Sequence, residues 1–342
     1  MNPEALNELT GLTLAWGGII LFAVYAYVVL DGFDLGLGML FVAYPEEEDR
    51  DVLMNTVAPV WDGNETWLIL GGGGLFAAFP LAYAILMPAV YAPLIAMLLA
   101  LIFRGVAFEY RWRTKRARWV WDFAFIVGSL TASLCQGIVL GAIVQGIKVE
   151  DRSYAGAWWD WLTPFTLLTG AAVVSGYLLL GSTWLVMKTT EAVQARARTL
   201  SWVFAFTTFA FIAAVSVATL FVNSEYWGRW FSGWSALFSA LIPLTLGLIG
   251  TAMLRSLLIH DHEYRPFVLT LVIFALCFVG LAISLYPNIV PPDISLQEAA
   301  SPASSQLFML VGTAITMPLI LGYSAYAYWI FRGKMDPDSG YH

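Results

Sequence analysis

Tyr27-Val-Val-Leu-Asp31-Gly-Phe-Asp34-Leu-Gly-Leu-Gly-Met39 closes the first long apolar run of the chain, and Ala58-Pro-Val-Trp61-Asp62-Gly-Asn-Glu65-Thr-Trp-Leu68 opens the second. Each run is long enough to cross a bilayer, which takes about 20 mostly apolar residues. A carboxylate at such a position costs about 2.5–3.5 kcal/mol on insertion scales, so it marks a proton or ion route, a buried pairing or a partner contact. Working outward, the rest of the chain has the same character. Hydrophobic residues make up 59% and charged residues 12% of its 342 positions, the composition of a polytopic membrane protein. The formal charge of −7 is therefore read loop by loop. No basic strip with interleaved aromatics is present, which excludes nucleic acid as a ligand class.

Apolar runs predict an all-α protein of about nine transmembrane helices, at 11–41, 53–78, 82–108, 119–147, 163–187, 199–222, 236–259, 266–286 and 305–331. The second and third would merge into one long helix if Pro80 did not break them. Residues 1–342 read as a single integral membrane domain. Segment 287–304, rich in Pro, Ser and Ala, reads as an irregular external connection. The first apolar run is too long for a signal peptide and lacks a cleavage site.

Lys and Arg set the orientation. With the N-terminus outside, 14 of the 17 basic residues fall on the inner side, and only Lys148, Arg152 and Arg229 fall outside. The expectation is an external N-terminus and a cytoplasmic C-terminus, with the run Arg111-Trp-Arg-Thr-Lys-Arg-Ala-Arg118 as a topological anchor.

In this frame both carboxylate clusters lie in the inner half of the membrane, with Asp62 about 10–15 Å into the second helix. Asp31 with Asp34, and Asp62 with Glu65, are spaced i,i+3 and share helix faces. Together with the acidic turn Glu46-Glu-Glu-Asp49 they are able to form a proton funnel. The competing reading is structural: Asp31 and Asp34 sit at the interface or pair with Arg104, Glu65 is satisfied by Asn64 and Thr66, and Asp122 is an ion-pair partner. Gly71-Gly-Gly-Gly74 permits either close helix approach or a broken helix. Gly32, Gly36 and Gly38 suit tight apposition of the first two helices. Cys135 and Cys277 read as small buried side chains. The three histidines, His260, His262 and His342, fall in loop or tail, so no span offers an axial haem ligand, and no Cys/His cluster suits a metal.

Asp31-Gly-Phe-Asp-Leu-Gly-Leu-Gly-Met39, Ala58-Pro-Val-Trp-Asp-Gly-Asn-Glu-Thr-Trp-Leu68, Leu75-Phe-Ala-Ala-Phe-Pro80 and Phe103-Arg-Gly-Val-Ala-Phe-Glu-Tyr-Arg111 occur in order, and over residues 12–147 the chain resembles subunit 2 of the cytochrome bd-type quinol oxidases. The resemblance implies a heterodimer in the bacterial inner membrane. A haem-bearing subunit 1 would hold two b-type haems and haem d, and quinol and oxygen would act there. The chain itself would bind no haem, stabilise the complex and contribute cytoplasmic proton uptake for reduction of oxygen to water. Asp62 falls on the motif position assigned to that path, with Glu65, Asp31 and Asp34 beside it. Trp61 matches an aromatic near the subunit interface, and Asp34 and Arg104, with Asp122, fall in the assembly role near the partner's haems. A structural quinone or lipid and a small accessory subunit are compatible with the resemblance. The compact length resembles the cyanide-insensitive branch. The rival function class is a proton-coupled secondary transporter that uses the acids for coupling and the glycine run as a broken-helix site.

Overall fold

The computed structural model describes residues 3–233, 235–259 and 262–335. Thirteen α-helices, one 3-10 turn (Phe41–Ala43) and two small hairpins make up the ordered elements among these residues. In chain order they are α1 (Pro3–Leu40), α2 (Glu47–Asn55), α3 (Trp61–Ala78), α4 (Pro80–Ala89), α5 (Tyr91–Arg113), α6 (Arg118–Gln145), β1 (Val149–Glu150) and β2 (Ser153–Tyr154). There follow α7 (Pro164–Lys188), α8 (Glu191–Val222), α9 (Glu225–Phe231), α10 (Ser235–Leu258), α11 (Arg265–Leu285), β3 (Asn288–Val290), β4 (Ile294–Ser295), α12 (Leu296–Ala299) and α13 (Ala303–Ile330). Among the described residues eight helices are long and apolar enough to cross a membrane. The all-α, multi-pass expectation therefore holds. The remaining predicted span is α3, whose 18 residues rise about 27 Å. Its acids and glycines lower its hydropathy below that of the other eight.

Proline explains the helix boundaries that the apolar runs misplace. The predicted span 53–78 is split: α2 ends at Asn55, a turn follows, and α3 begins at Trp61. Pro59 biases Ala58 away from helical backbone, which resets the helix inside a continuous apolar run. Pro80 opens α4, and the chain at Phe79 leaves the helical region (φ −132°, ψ 62°), so α3 and α4 do not merge. The span 82–108 is also broken, at Val90, because the ring of Pro93 collides with the carbonyl four residues before it. Segment 287–304 is not irregular. It forms the β3–β4 hairpin and α12, and Val290 and Ala299 are buried against α4.

Glycine sets how closely α1 approaches its neighbours. A Cβ on Gly36 would stand 2.0 Å from the carbonyl oxygen of Tyr177, and one on Gly181 would stand 2.7 Å from the Gly36 backbone. A Cβ on Gly38 would meet the Ser129 hydroxyl at 2.1 Å. Helix α1 packs on α3 as the sequence suggested, but the glycines of α1 serve its backbone-close contacts with α7 and α6. Gly71 and Gly74 meet only the side chains of Val24 and Ile20 on α1, while Gly72 and Gly73 face open space. Helix α3 runs unbroken through all four glycines.

Candidate functional site: a buried acid cluster around one arginine

Three helices meet at Arg104, which is 1% exposed. Its Nη1 donates to Asp31 Oδ1 on α1 at 2.5 Å, and its Nη2 donates to Glu65 Oε1 on α3 at 2.5 Å. The planar fork of guanidinium suits this double engagement, which lysine could not reproduce with one nitrogen. Asp34, one turn after Asp31, does not touch Arg104. Its Oδ2 accepts from Asn64 Nδ2 at 2.8 Å, and Asn64 Oδ1 accepts from the Tyr328 hydroxyl of α13 at 2.8 Å. The second oxygens of Asp31 and Asp34 are buried without a hydrogen-bond partner among the described residues.

The predicted pairing of Arg104 with Asp31 is present, but that with Asp34 is not. Glu65 is held by Arg104 and not by its sequence neighbours, since Asn64 turns to α1 and Thr66 Oγ1 donates back to the Gly63 carbonyl. Asp62 also differs from expectation. It lies in the first turn of α3, exposed and without an ion pair among the described residues, because α3 starts eight residues later than the apolar run. It is therefore at the helix mouth and not two turns inside. Trp61 stacks on Phe108 of α5 at 4.8 Å between ring centroids and is half-buried.

Nearer the charged end of the bundle lies a second ionic cluster. Arg111, fully buried, donates through Nε to Asp122 Oδ1 at 2.6 Å and through Nη1 to Asp51. Arg50 reaches Asp122 Oδ2 at 3.3 Å, and Arg118 bonds Glu47. Asp122 is an ion-pair partner, as expected. The acidic turn, in contrast, is the N-terminus of α2, and Glu47 and Asp51 clamp that helix to the α5–α6 connection. Acids at this position also complement the helix dipole. Arg118 bonding holds the Glu47 carboxyl below the usual range. Arg111 is more than a topological anchor: it is the centre of the clamp.

Neutral polar residues complete the site, and the sequence reading passed over them. Tyr177 donates to Gln136 Oε1 at 2.5 Å, and Gln136 Nε2 donates to the Tyr27 hydroxyl at 2.9 Å. Tyr27 in turn faces Asp31. Buried amides and phenols in apolar helices need partners, which is the one signal that pointed to them. Among the described residues no group of three or more His, Cys, Asp or Glu is placed to hold a metal ion. His262 lies between α10 and α11, and His260 and His342 are outside the described residues. Cys135 is buried, Cys277 half-buried, and both are free thiols.

This architecture and its acid motifs coincide with one family. The profile described as "Cytochrome bd terminal oxidase subunit II" matches residues 12–331. The chain belongs to that family and is a multi-pass protein of the bacterial inner membrane. It is 29% identical to "Probable cytochrome oxidase subunit 2" of Haemophilus influenzae, over 96% of each chain. It is also 29% identical to "Cytochrome bd-I ubiquinol oxidase subunit 2" of Escherichia coli K12, again over 96% of each. With "Cytochrome bd ubiquinol oxidase subunit 2" of Bacillus subtilis it shares 28%, over 94% of this chain and 96% of the relative. A chain from "The structure of bd oxidase from Geobacillus thermodenitrificans" has the same fold, with a TM-score of 0.76 at 17% identity, covering 94% of this chain and 98% of that one.

Proposed function

We propose that this chain acts as one integral membrane unit, the haem-free subunit of a bd-type quinol:oxygen oxidoreductase of the aerobic respiratory chain. It stabilises a haem-bearing subunit 1 and supplies protons from the cytoplasm for reduction of oxygen to water. Two b-type haems and haem d, quinol and oxygen belong to the partner. The N-terminus is outside and the C-terminus inside, by the Lys/Arg distribution. Lipid, a structural quinone and a small accessory subunit are compatible with this role.

One observation carries the reading: the carboxylates are graded from exposed to buried. Asp62 is exposed at the mouth of α3, Glu65 is 28% exposed three residues on, and Asp31 and Asp34 are 0% and 2% exposed beyond it. Two of these acids share one guanidinium, with Asp34 one turn away on α1, so the cluster has the capacity to take up and release a proton as its charge is compensated. Arg104 keeps the acids in place and, with Trp61, Asp34 and Asp122, supports assembly near the partner's haems. The transporter alternative needs an interrupted helix at Gly71–Gly74, and α3 has none there.

The test is Asp62→Asn in the assembled complex. It keeps shape and hydrogen-bonding capacity but removes the titratable proton. Oxygen uptake per haem should fall at least several-fold with normal yield and haem content, and Asp62→Glu should retain more activity. Unchanged turnover in the Asn variant would show that protons enter elsewhere.

A further inference from the structure

We propose that Tyr328, on the last helix, is a positioning residue for Asp34, acting through the side-chain amide of Asn64. The inference deepens the proton-uptake reading and rests on it for its effect on turnover. Its effect on Asp34 is measurable without turnover.

The geometry runs in one direction. The Tyr328 hydroxyl donates to Asn64 Oδ1 at 2.8 Å, which leaves Nδ2 on the opposite side of the amide. There Nδ2 donates to Asp34 Oδ2 at 2.8 Å and, at 3.4 Å, to the Leu30 carbonyl. The Leu30 carbonyl can only accept, so it holds Nδ2 on this side, and in that orientation the tyrosine hydroxyl is the donor that satisfies Oδ1. An N–H aimed at a buried carboxyl favours its ionised form. The tyrosine hydroxyl also polarises the amide and strengthens that N–H as a donor. Removing the hydroxyl weakens the bond and frees the amide to turn its oxygen toward Asp34, where it suits a protonated acid. Both effects act in the same direction.

Tyr328 stands apart on its own helix. Tyr323 and Tyr326 are 71% and 59% exposed, while Tyr328 turns inward, its ring perpendicular to that of Trp184 at 6.3 Å. The end of α13 is also fixed independently of this hydroxyl. Lys188 Nζ bonds the Phe331 carbonyl, and Lys334 pairs with Glu263 at 2.6 Å. Tyr328→Phe therefore leaves the helix attached. The charged and titratable groups around Asp34 are Asp31 on α1, Glu65 on α3, Arg104 on α5 and Tyr328 itself on α13.

The experiment uses the intact complex bearing Tyr328→Phe, with two readouts. The first is oxygen uptake per haem as a function of pH. The second is the infrared carbonyl band of protonated Asp34, assigned by its loss in Asp34→Asn. Yield and haem content should match the parent, the pH profile should move up by about one pH unit, and the band should persist to correspondingly higher pH. With Asn64→Ala as background, adding Tyr328→Phe should produce no further shift. A band and profile superimposable on the parent would overturn the proposal, as would a full shift that persists without the Asn64 amide. A shifted band with an unmoved profile would support the positioning role while refuting proton uptake through Asp34.

Discussion

Arg104→Ala removes the only cation among the described residues that contacts Asp31 and Glu65, and the structure sets the size of the consequence. Asp31 is fully buried, so its carboxylate would be left uncompensated, at a cost of about 3–5 kcal/mol. Glu65 is 28% exposed and can be resolvated, so its pairing adds no more than about 1 kcal/mol. The cavity left by a buried arginine stem adds to this. Such a loss is large beside the marginal stability of most folded domains. The assay is the yield, haem content and thermal unfolding of the purified complex. Arg104→Ala should lower all three, with turnover per remaining intact complex less affected. The decisive comparison is the double variant Arg104→Ala/Asp31→Asn, which no longer buries the unpaired charge and should recover much of the stability. A single variant with normal yield and melting behaviour would refute the reasoning. So would a double variant no better than the single one, because the damage would then come from lost packing.

Gly36→Ala should destabilise the complex by about 1–3 kcal/mol, since its Cβ would stand 2.0 Å from the Tyr177 carbonyl oxygen, whereas Gly72→Ala, which meets nothing within 4 Å, should change the melting temperature little. The α2 clamp should weaken in acid. Bonding to Arg118 holds the folded-state Glu47 carboxyl below its ordinary value, so its contribution is fully present above the unfolded pKa. It is lost as the pH falls through the depressed one. The pair is largely exposed and worth at most about 1 kcal/mol. Hydrogen-exchange protection factors in residues 44–60, referenced to the intrinsic rate at each pH, should fall as the pH is lowered, and Arg118→Gln should remove that dependence. A pH-independent protection pattern in the parent would contradict it.

The charged partners were the legible part of the site. Asp31 and Arg104 each interrupt an apolar run, and a charge in a span must find its opposite. Glu65 was assigned the wrong partner because its contact depends on how α3 is rolled against α5, which spacing within α3 does not encode. Asn64 was given the wrong partner, and Gln136, Tyr177 and Tyr328 were missed, because neutral polar residues in an aromatic-rich helix carry no periodic signature. The depth of Asp62 was misjudged for a different reason. Val52-Leu-Met-Asn-Thr-Val57 continues the apolar run, and hydropathy does not register the reset imposed by Pro59. Helix α8 shows the converse error: it begins at Glu191, eight residues before the predicted span, because Arg196 and Arg198 hide helix behind charge.

The segment Asp31-Gly-Phe-Asp34-Leu-Gly36 holds two pieces of information at once. At 100° per residue, Gly32 and Gly36 lie within about 40° of each other, and Asp31 and Asp34 within about 60°, on a face roughly 150° away. The glycine face is pressed against Tyr177 and Gly181 of α7. That contact fixes the roll of α1, and the roll turns Asp31 and Asp34 toward Arg104 and Asn64. A larger residue at Gly36 would therefore shift the acids as well as the packing. The small residues and the acids are in this sense one device, in which backbone contact on one face of α1 determines where charge sits on the other.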